Sequence, residues 1–140
     1  MSQDVLFYVL NTSDLESREA FLIKLIQKTQ QQKRRVDIRF AQLSDAQRFD
    51  QKLWAQPVHG YLPHAVEHQL DAPIQLFGAT IQKAAHDVLI NLNPEFYPAF
   101  NEYQRTIELL DQSQELIEKG RQRWREYKQA GFEPTVHKIG

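Results

Sequence analysis

DVLFYVL (Asp4–Leu10), followed by the pattern Ser13-Asp-Leu-Glu16 and the run LESREAFLIKLIQ (Leu15–Gln27), decides the fold. The first segment is an almost unbroken series of β-branched, aliphatic and aromatic residues. It reads as a strand buried on both faces, the situation of a strand inside a parallel sheet. Asn11 and Thr12 turn the chain. Ser13 with Glu16 three residues on predicts a capping box that opens a helix. Leu15, Ala20, Phe21, Ile23, Leu25 and Ile26 hold its apolar stripe before it frays into the polar Gln27–Arg35. Val36–Phe40 (VDIRF) alternates apolar and polar residues and predicts a second, half-buried strand. Strand, helix, strand is a βαβ unit, whose two strands lie parallel and whose crossover is right-handed.

The rest of the chain extends this unit. Ser44 and Gln47 repeat the capping pattern ahead of a helix over Asp45–Leu53, which buries Ala46, Phe49 and Leu53. A third strand starts at Pro73 or Ile74, and a fourth occupies Asp87–Leu92, central by its apolar content and stopped at Asn93-Pro94. The aromatic-dense Glu95–Tyr103 is expected to be irregular or briefly helical and to cover a sheet edge. Arg105–Leu110 supplies a fifth strand. It feeds a long amphipathic helix over Asp111–Phe132, capped by Asp111 or Ser113 and stopped at Gly131. The polar tail Glu133–Gly140 is expected to fold back on the body. The expected fold is one α/β domain over residues 1–140, three layers with a mostly parallel, Rossmann-like sheet flanked by helices. Its first strand-to-helix turn, LNTSDLESRE, has no glycine and no Lys-Ser/Thr pair, so no backbone cradle for phosphate forms there. No nucleotide or other cofactor is expected.

Composition narrows the function. The 140 residues suit one domain that buries roughly two-thirds of its unfolded surface without staples. The absence of cysteine excludes thiol catalysis, cysteine zinc sites and disulfides. A net charge of −1 gives no global field for nucleic acid. No run approaches the roughly 20 apolar residues of a membrane span, and MSQDVLFYVL lacks the features of a signal peptide. A soluble cytoplasmic protein is the expectation.

Two stretches carry recognition chemistry. On the last helix Leu116, Gly120, Trp124 and Tyr127 share a face, with Ile117 at its edge and Arg121, Arg125 and Lys128 on a neighbouring stripe. Cations near a helix C-terminus are favoured by the macrodipole alone, and an apolar stripe is usually core. Beside an apolar groove the same row would hold an acidic peptide with a hydrophobic anchor, and Arg121, Arg123 and Arg125 suit carboxylates. The second stretch, Trp54–His64, is a proline-stiffened aromatic loop: either hot-spot surface or a loop tucked on the core. Lys33, Arg34 and Arg35 read as a solvated helix end, with direct nucleic-acid binding the competing reading. An enzymatic alternative is a small metal-dependent hydrolase. It would use His64 and His68 at helical i, i+4 spacing, Glu67 between them, and His86 or Asp87 as third ligand. No nucleophile elbow or catalytic triad accompanies them.

Taken together, Phe7-Tyr8-x-Leu10, Leu53-Trp54-Ala55-x-Pro57 with Pro63-His64, Ala72-Pro73-Ile74, Asp87-x-Leu89-Ile90-x-Leu92 and Arg121-x-Arg123 with Tyr127 and Ala130-Gly131-Phe132 resemble the chi subunit of bacterial DNA polymerase III holoenzyme. The resemblance implies a non-catalytic adaptor. It would join the clamp-loader assembly through the psi subunit and bind the acidic, phenylalanine-terminated tail of single-stranded-DNA-binding protein. A DinG-like helicase would compete for the psi face. By resemblance the tail site centres on Arg121, with Leu110, Trp124, Arg125 and Val136 beside it and Lys128 along the acidic run. The psi or helicase face falls on Trp54 and Tyr61, flanked by Pro57, Leu62 and Pro63. Tyr61 stands where phenylalanine is usual, Trp124 where tyrosine is usual, and Ile117 where the pattern carries a cation.

Overall fold

The computed structural model describes residues 3–55 and 62–140. In chain order it contains β1 (Asp4–Leu10), α1 (Leu15–Gln31), β2 (Val36–Arg39), α2 (Leu43–Ala55), β3 (His64–Val66), β4 (Ile74–Phe77) and β5 (Val88–Asn91). A short 3₁₀ turn (Pro98–Glu102), β6 (Arg105–Leu110), α3 (Gln114–Gln129) and β7 (Thr135–Ile139) complete it. The seven strands form one sheet in the order β3-β4-β2-β5-β6-β1-β7, with every neighbouring pair parallel. The expected three-layer α/β architecture is therefore present, and its parallel character is complete across the described strands.

Strand alternation sorts the two faces of the sheet. Leu6, Leu10, Val36, Ile38, Ile74, Leu76, Val88, Ile90, Ile107 and Leu109 pack against Leu22, Ile23 and Ile26 of α1 and Ala46, Phe49 and Leu53 of α2. The opposite face places Val5, Phe7, Leu89 and Leu110 under Tyr127 of α3 and under Phe100 and Tyr103. The Glu95–Tyr103 region thus covers the sheet's face near the central strand β5, not an edge. Its rings find apolar partners there: Phe100 meets Tyr127 edge-on at 4.8 Å and Phe132 at 4.9 Å.

The expectation of a half-buried β2 is corrected, because all four of its residues are buried. The second face hides polar groups. Arg39 donates to the carbonyls of Ala79 and Glu95 and to Asn91, and lies 4.9 Å from the centre of the Tyr97 ring. Asp37, fully buried, accepts from the Tyr103 hydroxyl at 2.6 Å and the Ala85 N–H at 2.8 Å, both on Oδ2. Its Oδ1 has no described partner. Burial pushes the Asp37 carboxyl above its ordinary value, against the pull of those two donors. A raised acid is protonated more readily folded than unfolded. Its contribution to stability is therefore full below 3.8 and is lost as pH rises through the folded value. Asp37→Asn is accordingly expected to gain stability relative to wild type between pH 3 and pH 7 in urea titrations. Parallel pH profiles for the two proteins would refute this.

Local starts and stops differ from the expected capping boxes. α1 is capped by Asp14, whose carboxylate accepts from the Ser17 N–H at 2.8 Å, instead of by Ser13. α2 begins at Leu43, before Ser44, and Asp45 reaches back to the Gln42 N–H. α3 starts after Ser113, yet the side chain at work is Asp111, which takes the Ser113 N–H at 2.9 Å and an ion pair from Arg18 at 2.6 Å. Burial works to raise Asp111, but Ser113 and Arg18 outweigh it and hold the carboxyl below its usual range. Gly131, at φ +91°, provides the left-handed residue that releases the chain from α3. Two strands were missed: β3, which His64 opens, and β7, which the tail forms beside β1.

Candidate functional site

Two concavities flank α3. The first, about 290 Å³, lies at the carboxyl ends of β2, β5 and β6, lined by Leu15, Leu22, Phe40 and Leu116 among apolar groups. This is where doubly wound sheets hold ligands. Here, however, the cations that line it, Arg18, Arg48 and Arg123, are already paired with carboxylates. Arg18 pairs with Asp111, and Glu19 with Arg48 and with Lys52 at 2.8 Å. Burial works to raise Glu19, but the two cations outweigh it and hold its carboxyl low. Arg123 pairs with Glu108 at 3.0 Å. Among the described residues, the crevice has no glycine-rich turn and no unpaired cation to take an anion.

The second concavity, about 340 Å³, runs between α3 and the outer strands β1 and β7. Phe7 and Val9 of β1, Leu110 of β6 and Val136 of β7 form its apolar sides with Ile117 and Trp124 of α3. Trp124 is set by its edge-on contact with Phe7 at 5.3 Å. Arg121 of α3 and Lys138 of β7 complete the lining, both exposed. Neither meets an acidic partner among the described residues, unlike Arg18, Arg34, Arg35, Arg48, Arg105 and Arg123, which all do. An apolar trough with two uncompensated cations suits an anion carrying an apolar side chain.

Gly120 lets Leu110 pack closely against α3 at the side of the groove. A Cβ there would stand 2.5 Å from Leu110 Cδ1, so the Leu110 side chain would have to swing away. Glycine inside a helix costs about 1 kcal/mol relative to alanine, and here it makes room for the Leu110 side chain. Gly120→Ala is expected to leave thermal stability within a few degrees of wild type while reducing peptide binding in the groove at least fivefold. Undiminished binding in calorimetry would show that the position of the Leu110 side chain does not matter to the ligand.

The predicted tail residues divide. Arg121, Trp124, Leu110 and Val136 line this groove. Arg125 and Lys128 do not; both are exposed, and Lys128 pairs with Glu133 at 3.1 Å. Arg123, read as available for carboxylates, is 3% exposed and locked in the core. Its Nε meets Glu108, and its Nη1 donates to the Pro94 carbonyl at 2.8 Å. Tyr127 and Asn91 donate to the other Glu108 oxygen at 2.6 and 3.0 Å. Burial pushes the Glu108 carboxyl up while Arg123, Tyr127 and Asn91 pull it back, and burial likewise pushes the Tyr127 phenol up. Arg123 stands three residues after Gly120 and four before Tyr127, on the buried face, but nothing local marks the carboxylate that meets it there. The residue missed for the groove is Lys138. It alternates with Val136 onto the same side of β7.

On the other predicted face, Trp54 is 51% exposed at the end of α2. Its ring lies 4.2 Å from that of His64, and its indole N–H donates to Asp50 at 3.2 Å. Leu62 and Pro63 are half-buried, and the Leu62 carbonyl faces His64 Nδ1 at 2.6 Å. Pro57 and Tyr61 lie outside the described residues. The metal-hydrolase alternative is corrected. His64 and His68 are not on a helix, His68 turns to the Lys83 carbonyl, and Asp87 is held by Arg34 at 2.7 Å. No group of three or more metal-type ligands forms among the described residues. Two cations of the basic cluster are likewise spent in pairs: Arg34 on Asp87 and Arg35 on Asp71. No described helix is long and apolar enough to cross a membrane.

Comparison with known proteins gives a consistent picture. Residues 1–135 match the family model described as DNA polymerase III chi subunit, HolC. A curated relative from Pseudomonas aeruginosa, named DNA polymerase III subunit chi, is 26% identical over 137 residues. The match covers 95% of this chain and 94% of that protein.

Proposed function

The chain belongs to the DNA polymerase III chi-subunit family, and on that premise we propose that it is a non-catalytic adaptor in DNA replication. In the cytoplasm it links the clamp-loader complex, through psi, to the acidic C-terminal tail of single-stranded-DNA-binding protein. The groove between α3 and β7 takes the tail, and the Trp54 surface takes psi or, alternatively, a DinG-like helicase. One observation carries the reading: Arg121 stands without an acidic partner among the described residues, at the rim of an apolar groove lined by Leu110, Trp124 and Val136. A terminal aromatic ring buries on the order of 150–250 Å² in such a groove, and its α-carboxylate meets the guanidinium.

The test is calorimetric titration with a short acidic peptide ending in phenylalanine, once with a free C-terminus and once amidated. Binding of the free acid at roughly micromolar strength, about 8 kcal/mol, is expected. Rising salt should weaken it, and amidation should cut it sharply. Equal binding of acid and amide would remove the carboxylate from the reading, and no binding of either would remove the groove.

A further inference from the structure

We propose that Lys138 is a second carboxylate-binding residue of this groove. It would hold a side-chain carboxylate upstream in the same acidic segment whose α-carboxylate Arg121 takes. The inference rests on the groove reading above and adds a specificity-determining residue to it.

Its placement follows from β7. The strand pairs in parallel with β1, opposing Phe7 with Val136 and Val9 with Lys138. Alternation turns Thr135, His137 and Ile139 to the other face, where the His137 ring lies 5.2 Å from that of Tyr8 and Ile139 packs on the α1-side core. Val136 and Lys138 therefore face α3. Both line the groove alongside Phe7, Val9 and Arg121. Arg121 enters from the helix and Lys138 from the outermost strand, so the two cations stand on opposite walls of an apolar trough.

The division of labour follows from their chemistry. A guanidinium offers a planar fork that matches a fixed carboxylate, whereas an ammonium on a flexible stem follows a mobile one. A terminal carboxylate anchored beside a buried side chain is fixed; an upstream Asp or Glu side chain is mobile. A lysine on an edge strand also discourages edge-to-edge pairing, but that role is indifferent to the peptide's charge.

The experiment is a double-mutant cycle. Wild type, Lys138→Gln and Lys138→Arg are titrated with the acidic phenylalanine-terminated peptide and with the same peptide carrying Asn for its Asp residues. Both peptides keep a free C-terminus. Lys138→Gln is expected to weaken the acidic peptide three- to tenfold, to leave the neutralised peptide within twofold of wild type, and to be restored by Lys138→Arg. Equal binding of the acidic peptide by wild type and Lys138→Gln overturns the assignment while leaving the groove intact. Equal weakening of both peptides overturns it as well, because Lys138 would then not be reading the upstream charge. Failure of wild type to bind either peptide defeats the groove reading itself.

Discussion

Arg121→Ala is expected to weaken binding of an acidic, phenylalanine-terminated peptide by roughly tenfold to a hundredfold. The side chain is exposed and has no acidic partner among the described residues, so its removal disturbs no described ion pair. What is lost is a charge-assisted bond to the ligand's carboxylate, worth about 1.5–3 kcal/mol. Arg121→Lys should recover part of the loss, since it restores the charge without the bidentate fork. The unfolding midpoint in urea should not move, and that separates a binding residue from a structural one. A folded variant with unchanged affinity would place the tail site elsewhere.

Arg123→Ala, two residues along the same helix, is expected to do the opposite. It should unfold much of the protein's margin, with a loss of roughly 3–5 kcal/mol out of a typical total of about 5–15. Arg123 is 3% exposed, and its partner Glu108 is fully buried. Without the guanidinium, Glu108 keeps only the Tyr127 hydroxyl and the Asn91 amide, and the Pro94 carbonyl loses its donor. A buried carboxylate left in that state protonates or unfolds. The pair Glu108→Gln with Arg123→Met should therefore lose less than Arg123→Ala alone, because it removes both charges together. Urea denaturation measures both variants. A loss below about 1 kcal/mol for Arg123→Ala would mean that the network is hydrated or redundant.

The contrast between these two arginines shows how far the helix could be read from its sequence. Periodicity placed Leu116, Gly120, Trp124 and Tyr127 together and put Arg121 beside them. The same periodicity puts Arg123 between Gly120 and Tyr127, but an arginine there reads as surface unless a buried carboxylate is known to wait opposite. Glu108 lies in another element, and no local pattern announces it. Asp37 and Arg39 were misread for the same reason. Alternation in VDIRF gave their face correctly, but not that Tyr103, Ala85 and Asn91 would arrive to satisfy them.

What the amino-acid sequence determined by itself is whatever short-range physics dictates. Apolar runs of strand length, 3.6-residue stripes and Gly131 specified β1, α1, β2, β5, β6 and α3 and a parallel α/β order, because each signal is contained within one element. Only the tertiary structure decided the rest. β3 has three residues, too few for a periodic signal, and is a strand through its pairing with β4. β7 has mostly exposed residues and is a strand through its pairing with β1. That pairing carries Val136 and Lys138 across from Arg121 and turns one face of a helix into a groove. Such a site is a relation between residues far apart in the chain, held by backbone hydrogen bonds whose partners no single stretch of sequence names.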